Sequence, residues 1–127
     1  MKRNNYWIAA GILNLFTAFL HLIGGQDTLV DPLMDTALLL DVKSQLWGAW
    51  HMVTIVLFSS SYIFLKIGWN TTELHNSNTI SYLNFLYITF SIGFIISSLI
   101  HQVFTPQWVL LLPIGVLGFI GLKRNNL

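Results

Sequence analysis

Four long apolar stretches, each sufficient to cross a bilayer, dominate this chain of 127 residues. They cover about residues 6–24, 45–65, 80–104 and 107–122. A transmembrane helix needs about 20 mainly apolar residues to cross a hydrocarbon core of about 30 Å. Each stretch predicts a helix, because lipid offers no hydrogen bonds to the backbone and the two-residue alternation of barrel strands is missing. The sequence therefore predicts an all-α integral membrane four-helix bundle of up-down topology, with residues 1–127 forming a single transmembrane domain.

The composition agrees with a membrane environment and narrows the possible chemistry. Hydrophobic residues make up 54% of the chain and charged residues only 9%, whereas about 25% of residues are charged in a soluble domain. The formal net charge of +1 argues against nucleic acid as a partner, since phosphate binding needs a strongly basic surface. The absence of cysteine excludes disulfide bonds and thiolate metal ligands. We therefore expect the lipid bilayer as the main partner.

The basic residues predict how the chain is oriented. With four spans, most of them fall on one side of the membrane: Lys2, Arg3, Lys66, Lys123 and Arg124. The opposite side has Lys43 alone, in a segment that also contains four aspartates. Cytoplasmic loops are enriched in Lys and Arg, so we expect a protein of the inner or plasma membrane with both termini in the cytoplasm. The tryptophans agree, because they fall at the expected membrane boundaries.

Two connections between the spans are informative. In the outer connection of residues 25–44, Asp31 and Pro32 resemble a helix cap followed by a proline in the first turn, and apolar residues follow them. This pattern predicts a short interfacial helix between spans 1 and 2. The third and fourth spans are joined by little more than Thr105 and Pro106, which predicts that these two helices are antiparallel neighbours.

Three histidines are the most informative polar residues of the predicted spans. Asp and Glu are absent from the spans, which argues against a proton-coupled exporter. His21, His51 and His101 each lie near the outer end of a span, at a common depth of about 5–9 Å for a rise of 1.5 Å per residue. Each lies on or beside a stripe of polar and small residues, which includes Asn14 in the first span and Tyr87 in the third. Polar and small residues face other helices rather than lipid. We therefore expect the three imidazoles to converge.

The first functional hypothesis is a transition-metal site formed by these three histidines near the outer face. Neutral imidazole is a good ligand for zinc, copper and iron. Neighbouring side chains would orient the rings or line the pocket. These neighbours are Asn14, Thr17, Trp47, Trp50, Thr54, Ser97, Ser98 and Gln102. A water on the metal would permit hydrolytic or oxidative chemistry, but the sequence identifies no nucleophile or substrate, so enzyme activity stays open.

The same residues permit two alternatives. In the first, His21 and His101 are axial ligands of a b-type haem, small residues such as Gly25 make room for the macrocycle, and the protein transfers electrons. In the second, the polar stripes line an outward-opening pocket that binds or transports a small molecule without a metal. The four outer aspartates would then attract cations, and the histidines would provide sensitivity to pH.

The fourth predicted span differs from the others because it has no histidine. It contains Gly115, Gly118 and Gly121 at three-residue spacing, with Pro113 near its middle. Small residues at this spacing allow the backbones of two helices to approach closely. This face predicts tight packing within the bundle, with a homo-oligomer seam between copies as the alternative.

Overall fold

A computed structural model describes residues 3–71 and 76–125, and its regular structure is entirely helical in these ranges. Helix α1 (Asn5–Phe19) continues through two π-helical segments (Leu20–Gly24 and Gln26–Val30) into the short helix α2 (Asp31–Met34). Three long helices follow: α3 (Leu40–Trp69), α4 (Asn76–His101) and α5 (Gln107–Asn125).

The prediction of four apolar helices is confirmed, with boundaries that differ from the predicted ones. The helices long and apolar enough to cross a membrane are Asn5–Met34, Leu40–Trp69, Asn78–His101 and Gln107–Arg124. The first two have 30 residues each, which corresponds to about 45 Å of helix. They are therefore longer than a hydrocarbon core of about 30 Å.

The outer connection contains the short helix α2, but this helix continues the first helix without a break instead of following a loop. Asp31–Met34 continues the first helix directly, and only residues 35–39 remain as the turn before α3. The change from π-helical to α-helical geometry at Asp31 places Pro32 in a first turn. A proline is tolerated there, since the missing N–H interrupts no α-helical hydrogen bond.

The helices do not all pack equally closely. Helix α1 packs along α3 and α5, and α4 packs along α5, whereas α3 and α4 approach each other much less. The close pairing of α4 with α5 is what the short connection at Thr105 and Pro106 predicts. The bundle is therefore least closed between α3 and α4.

One end of the bundle, which we call the terminal end, is tied together by Asn4. The Asn4 side chain caps α1 by accepting hydrogen bonds from the backbone N–H groups of Tyr6 and Trp7 at 3.1 and 3.3 Å. Its Nδ2 donates to the carbonyl of Gly121 at 2.8 Å, and its backbone N–H donates to the carbonyl of Gly68 at 2.8 Å. One residue thus joins the ends of α1, α3 and α5.

The packed core occupies the middle of the bundle and the terminal end. Its largest members are Trp7, Phe64, Ile80, Tyr87 and Ile114. At the opposite end, which contains residues 35–39 and 102–106 and which we call the loop end, packing is sparse. Of the described side chains, only Val30 is buried between positions 19 and 53, and none is buried from 92 to 110. The helices are therefore less tightly packed in the loop-end half.

Candidate functional site

His21 lies in the first π-helical segment and contacts α3. Its Nε2 lies 3.2 Å from the backbone carbonyl oxygen of Trp50, and its ring stacks on the Trp50 indole with 3.7 Å between centroids and 15° between planes. Segments of π-helix are rare and often occur at functional sites. The stacked His21 and Trp50 rings form the best-defined aromatic pair of the loop-end half.

Trp50 is held in place by its contact with the first helix. Its six-membered ring lies so close to Gly25 that a Cβ at that position would overlap Trp50 Cζ2. The Trp50 carbonyl also accepts a hydrogen bond from Thr54 Oγ1 at 3.3 Å. The indole Nε1, in contrast, is buried and has no hydrogen-bond partner. Trp50 therefore has a ring that is fixed by packing and an indole N–H that donates no hydrogen bond.

The other two histidines have different surroundings. The His51 ring makes an edge contact with Trp47 on its own helix, with 4.0 Å between centroids. His51 and the core residue Leu57 are six positions apart on α3. At 100° per residue, their side chains point about 120° apart around the helix. His101 is exposed at the last position of α4. The ring partners of His21 and His51 are thus different tryptophans.

The described residues include no group of three or more His, Cys, Asp or Glu side chains arranged to hold a metal ion. The three-histidine metal site stays a prediction, since direct metal binding is not tested by this arrangement. The same holds for the haem alternative, although Trp50 occupies the space beside Gly25 that the macrocycle would use.

The polar residues predicted around the histidines are distributed over three places. Thr17 is buried and donates to the Leu13 carbonyl at 2.9 Å. Ser98 Oγ hydrogen-bonds the Thr105 hydroxyl and accepts from the Thr105 backbone N–H at 3.1 Å. Ser97 is half-buried on α4, and Gln102 is exposed with a positive φ of 53° just after the helix ends. Of the predicted neighbours, Trp50 contacts His21 directly, and Thr54 is linked to it through the Trp50 carbonyl.

Asn14 belongs to a buried network in the middle of the bundle. Its Nδ2 donates to Ser60 Oγ at 2.9 Å and to the Leu57 carbonyl at 3.2 Å. Its Oδ1 accepts from the Tyr87 hydroxyl at 2.8 Å, and this hydroxyl also lies 2.6 Å from Ser60 Oγ. Sequence reasoning placed Asn14 and Tyr87 on polar stripes but missed Ser60, whose only signal is its place in a run of three serines.

Two further residues have buried polar atoms without a hydrogen-bond partner. Asn84 is only 2% exposed, and neither its Nδ2 nor its Oδ1 is hydrogen-bonded. Gln107, at the first position of α5, has an unpartnered Oε1. An unpaired buried polar group costs about 1–3 kcal/mol, so such atoms mark places where a further partner would be stabilising.

The three glycines of α5 pack inside the chain. Gly115 faces Ile88 and the Asn84 backbone, Gly118 faces the Asn84 carboxamide, and Gly121 faces Trp7. The close approach predicted for these glycines thus occurs against α4 and α1. Association between copies through the same face stays a prediction.

The chain matches no protein-family model, no curated protein and no solved structure.

Proposed function

We propose that this protein is an integral membrane protein that binds a small molecule in the loop-end half of its bundle. The observation that carries the proposal is the loss of packing there, since buried side chains end at Ala18 on α1 and at Ser91 on α4 and begin only at Thr54 on α3. Pockets between bundle helices commonly combine apolar walls with a few polar groups. The His21 and Trp50 pair supplies an aromatic wall of this kind.

The polar atoms near this end favour a particular chemistry of ligand. Trp50 Nε1 is a buried donor and Gln107 Oε1 a buried acceptor, and both are unpartnered. A ligand that accepts a hydrogen bond from Trp50 would remove the cost of the unpaired donor, which is about 1–3 kcal/mol. The aspartates at 27, 31, 35 and 41 favour a neutral or cationic ligand over an anion. The ligand is therefore a small, mainly apolar molecule with a hydrogen-bond acceptor.

The proposal includes a membrane orientation. The loop end, which carries the four aspartates, faces outward, and the terminal end faces the cytoplasm, as the distribution of Lys and Arg favours. The four spans then alternate in direction, both termini are cytoplasmic, and the turn at residues 35–39 lies in the outer headgroup region. A ligand would enter from the outer side or from the outer leaflet.

Native mass spectrometry of the protein released from mild detergent tests the proposal. We expect a bound small molecule in the natural-sequence protein and its loss in Trp50→Phe, which keeps a ring and removes the indole donor. Trp69→Phe is the matched control, because Trp69 lies at the terminal end of α3. Equal retention by both variants, or no bound molecule in any of the three proteins, would contradict the proposal.

A further inference from the structure

Four basic side chains at the terminal end lie over aromatic rings of their own chain. The Arg3 guanidinium is 5.7 Å from the centre of the Trp69 ring, and that of Arg124 is 5.2 Å from Tyr6. The ammonium groups of two lysines also lie over aromatic rings. These contacts join Lys66 to Tyr62 at 5.8 Å and Lys123 to Phe119 at 5.3 Å. We call Arg3, Lys66, Lys123 and Arg124 the terminal-end cations.

The segments that carry the two arginines are joined by the hydrogen bonds of Asn4. Arg3 directly precedes Asn4. The ring that Arg3 contacts belongs to Trp69, which directly follows Gly68. The Gly68 carbonyl accepts a hydrogen bond from the Asn4 backbone N–H at 2.8 Å. Arg124 follows Gly121, the other acceptor of Asn4, by three residues on the same helix. The two guanidiniums are therefore carried by segments that meet at Asn4.

The charge at this end is not balanced by carboxylates of the described chain. All four aspartates lie within residues 27–41, close to the loop end, and Glu73 is outside the described residues. A cation over a ring face is held in position while its remaining N–H donors stay available for an anion. Guanidinium groups are especially suited to phosphate, because they donate two parallel hydrogen bonds.

The aromatic rings that contact the terminal-end cations also expose apolar surface beside the positive charges. Tyr62 is 63% exposed, Phe119 50% and Trp69 45%. Trp and Tyr are enriched at the level of the lipid headgroups in membrane-crossing helices. A cation next to an exposed ring matches a molecule that has a phosphate attached to an acyl chain. We propose that the terminal-end cations bind the phosphate groups of anionic phospholipids in the adjoining leaflet.

Lipid titration followed by native mass spectrometry tests this inference. Phosphatidylglycerol and phosphatidylcholine with identical acyl chains are added to delipidated protein in detergent. We expect phosphatidylglycerol to bind more tightly, and Arg124→Gln to weaken its binding about fivefold, as expected for one basic residue at a membrane surface. Arg3→Gln combined with Arg124→Gln is expected to weaken it about 25-fold. Equal affinity for the two lipids would overturn the inference.

Lys43→Gln is the matched control, since it removes one positive charge at the loop end, where Lys43 donates to the Met34 carbonyl. It is expected to leave phosphatidylglycerol binding unchanged, and a loss as large as that of Arg124→Gln would overturn the inference. If the arginine variants fail to fold, Lys66→Gln with Lys123→Gln takes their place, because these lysines contact rings of their own helices. Displacement of the lipid by an equal concentration of inorganic phosphate would show a simple anion site and overturn the lipid assignment.

Discussion

The Tyr87 hydroxyl donates a 2.8 Å hydrogen bond to the Asn14 carboxamide oxygen, which joins α4 to α1 in the middle of the bundle. Ser60 on α3 completes the network, because its Oγ lies 2.6 Å from the Tyr87 hydroxyl and 2.9 Å from Asn14 Nδ2. The network connects α3 to α4, which otherwise pack sparsely. Polar groups inside a membrane bundle need such partners, since lipid cannot replace them.

Tyr87→Phe is expected to reduce the free energy of unfolding by about 1 kcal/mol, within the range measured for hydrogen bonds between membrane helices. The phenyl ring keeps its packing, but Asn14 Oδ1 loses its donor. Tyr82→Phe is the control on the same helix, because Tyr82 is exposed. The measurement is reversible unfolding in mixed micelles, and equal stability of the two variants would contradict the expectation.

Gly118→Ala is expected to destabilise the protein by about 1–3 kcal/mol, the usual effect of overpacking. The new Cβ would overlap the Asn84 carboxamide. Gly93→Ala is the control, since no atom lies within 4 Å of a Cβ at that position, and it should be neutral or stabilising by up to about 1 kcal/mol. Adding Asn84→Ala to Gly118→Ala should recover part of the lost stability, measured by thermal unfolding. If the destabilising effects of the two substitutions are fully additive, the two residues do not contact each other.

Gly25→Ala is expected to displace the Trp50 indole, because a Cβ at that position overlaps the ring. The neighbouring variant Gly24→Ala should have little effect, since open space surrounds that position. Near-ultraviolet circular dichroism, to which the stacked His21 and Trp50 rings contribute, reports the change. Identical spectra for the two variants would show that Trp50 does not lie over Gly25.

Metal content distinguishes the binding proposal from the three-histidine hypothesis. The hypothesis predicts near-stoichiometric zinc, copper or iron that His21→Ala, His51→Ala or His101→Ala each releases. We expect less than stoichiometric metal that these variants leave unchanged, because the described residues contain no group of three His, Cys, Asp or Glu side chains that could hold a metal ion. Elemental mass spectrometry of protein purified without a histidine tag decides between them, and metal lost from all three variants would favour the metal centre.

The proposed orientation predicts the labelling of single cysteines, which is free of background because the chain has no cysteine. Asp35→Cys, in the turn at the loop end, should react with a membrane-impermeant thiol reagent in intact cells. Lys123→Cys, at the terminal end, should react only after the membrane is opened. The reverse pattern would place both termini outside.

The number of helices was predictable from the sequence, because each apolar stretch must satisfy its own backbone hydrogen bonds in lipid. The inward direction of Asn14 and Tyr87 was predictable for a related reason, since a polar side chain on an apolar helix needs another helix beside it. The boundary of the first span was not predictable, because the helix continues past Phe19 in π-helical geometry, which is rare in proteins.

The sequence predicts a common depth for His21, His51 and His101, which stays a prediction. The contact of a histidine ring with another helix depends on the rotation and separation of whole helices. Those quantities are set by the packing of many side chains at once, such as Trp50 over Gly25 and Asn4 between Gly68 and Gly121. The tertiary structure alone therefore decided that His21 pairs with Trp50, whereas the contact of His51 with Trp47 follows from their spacing of four residues on one helix.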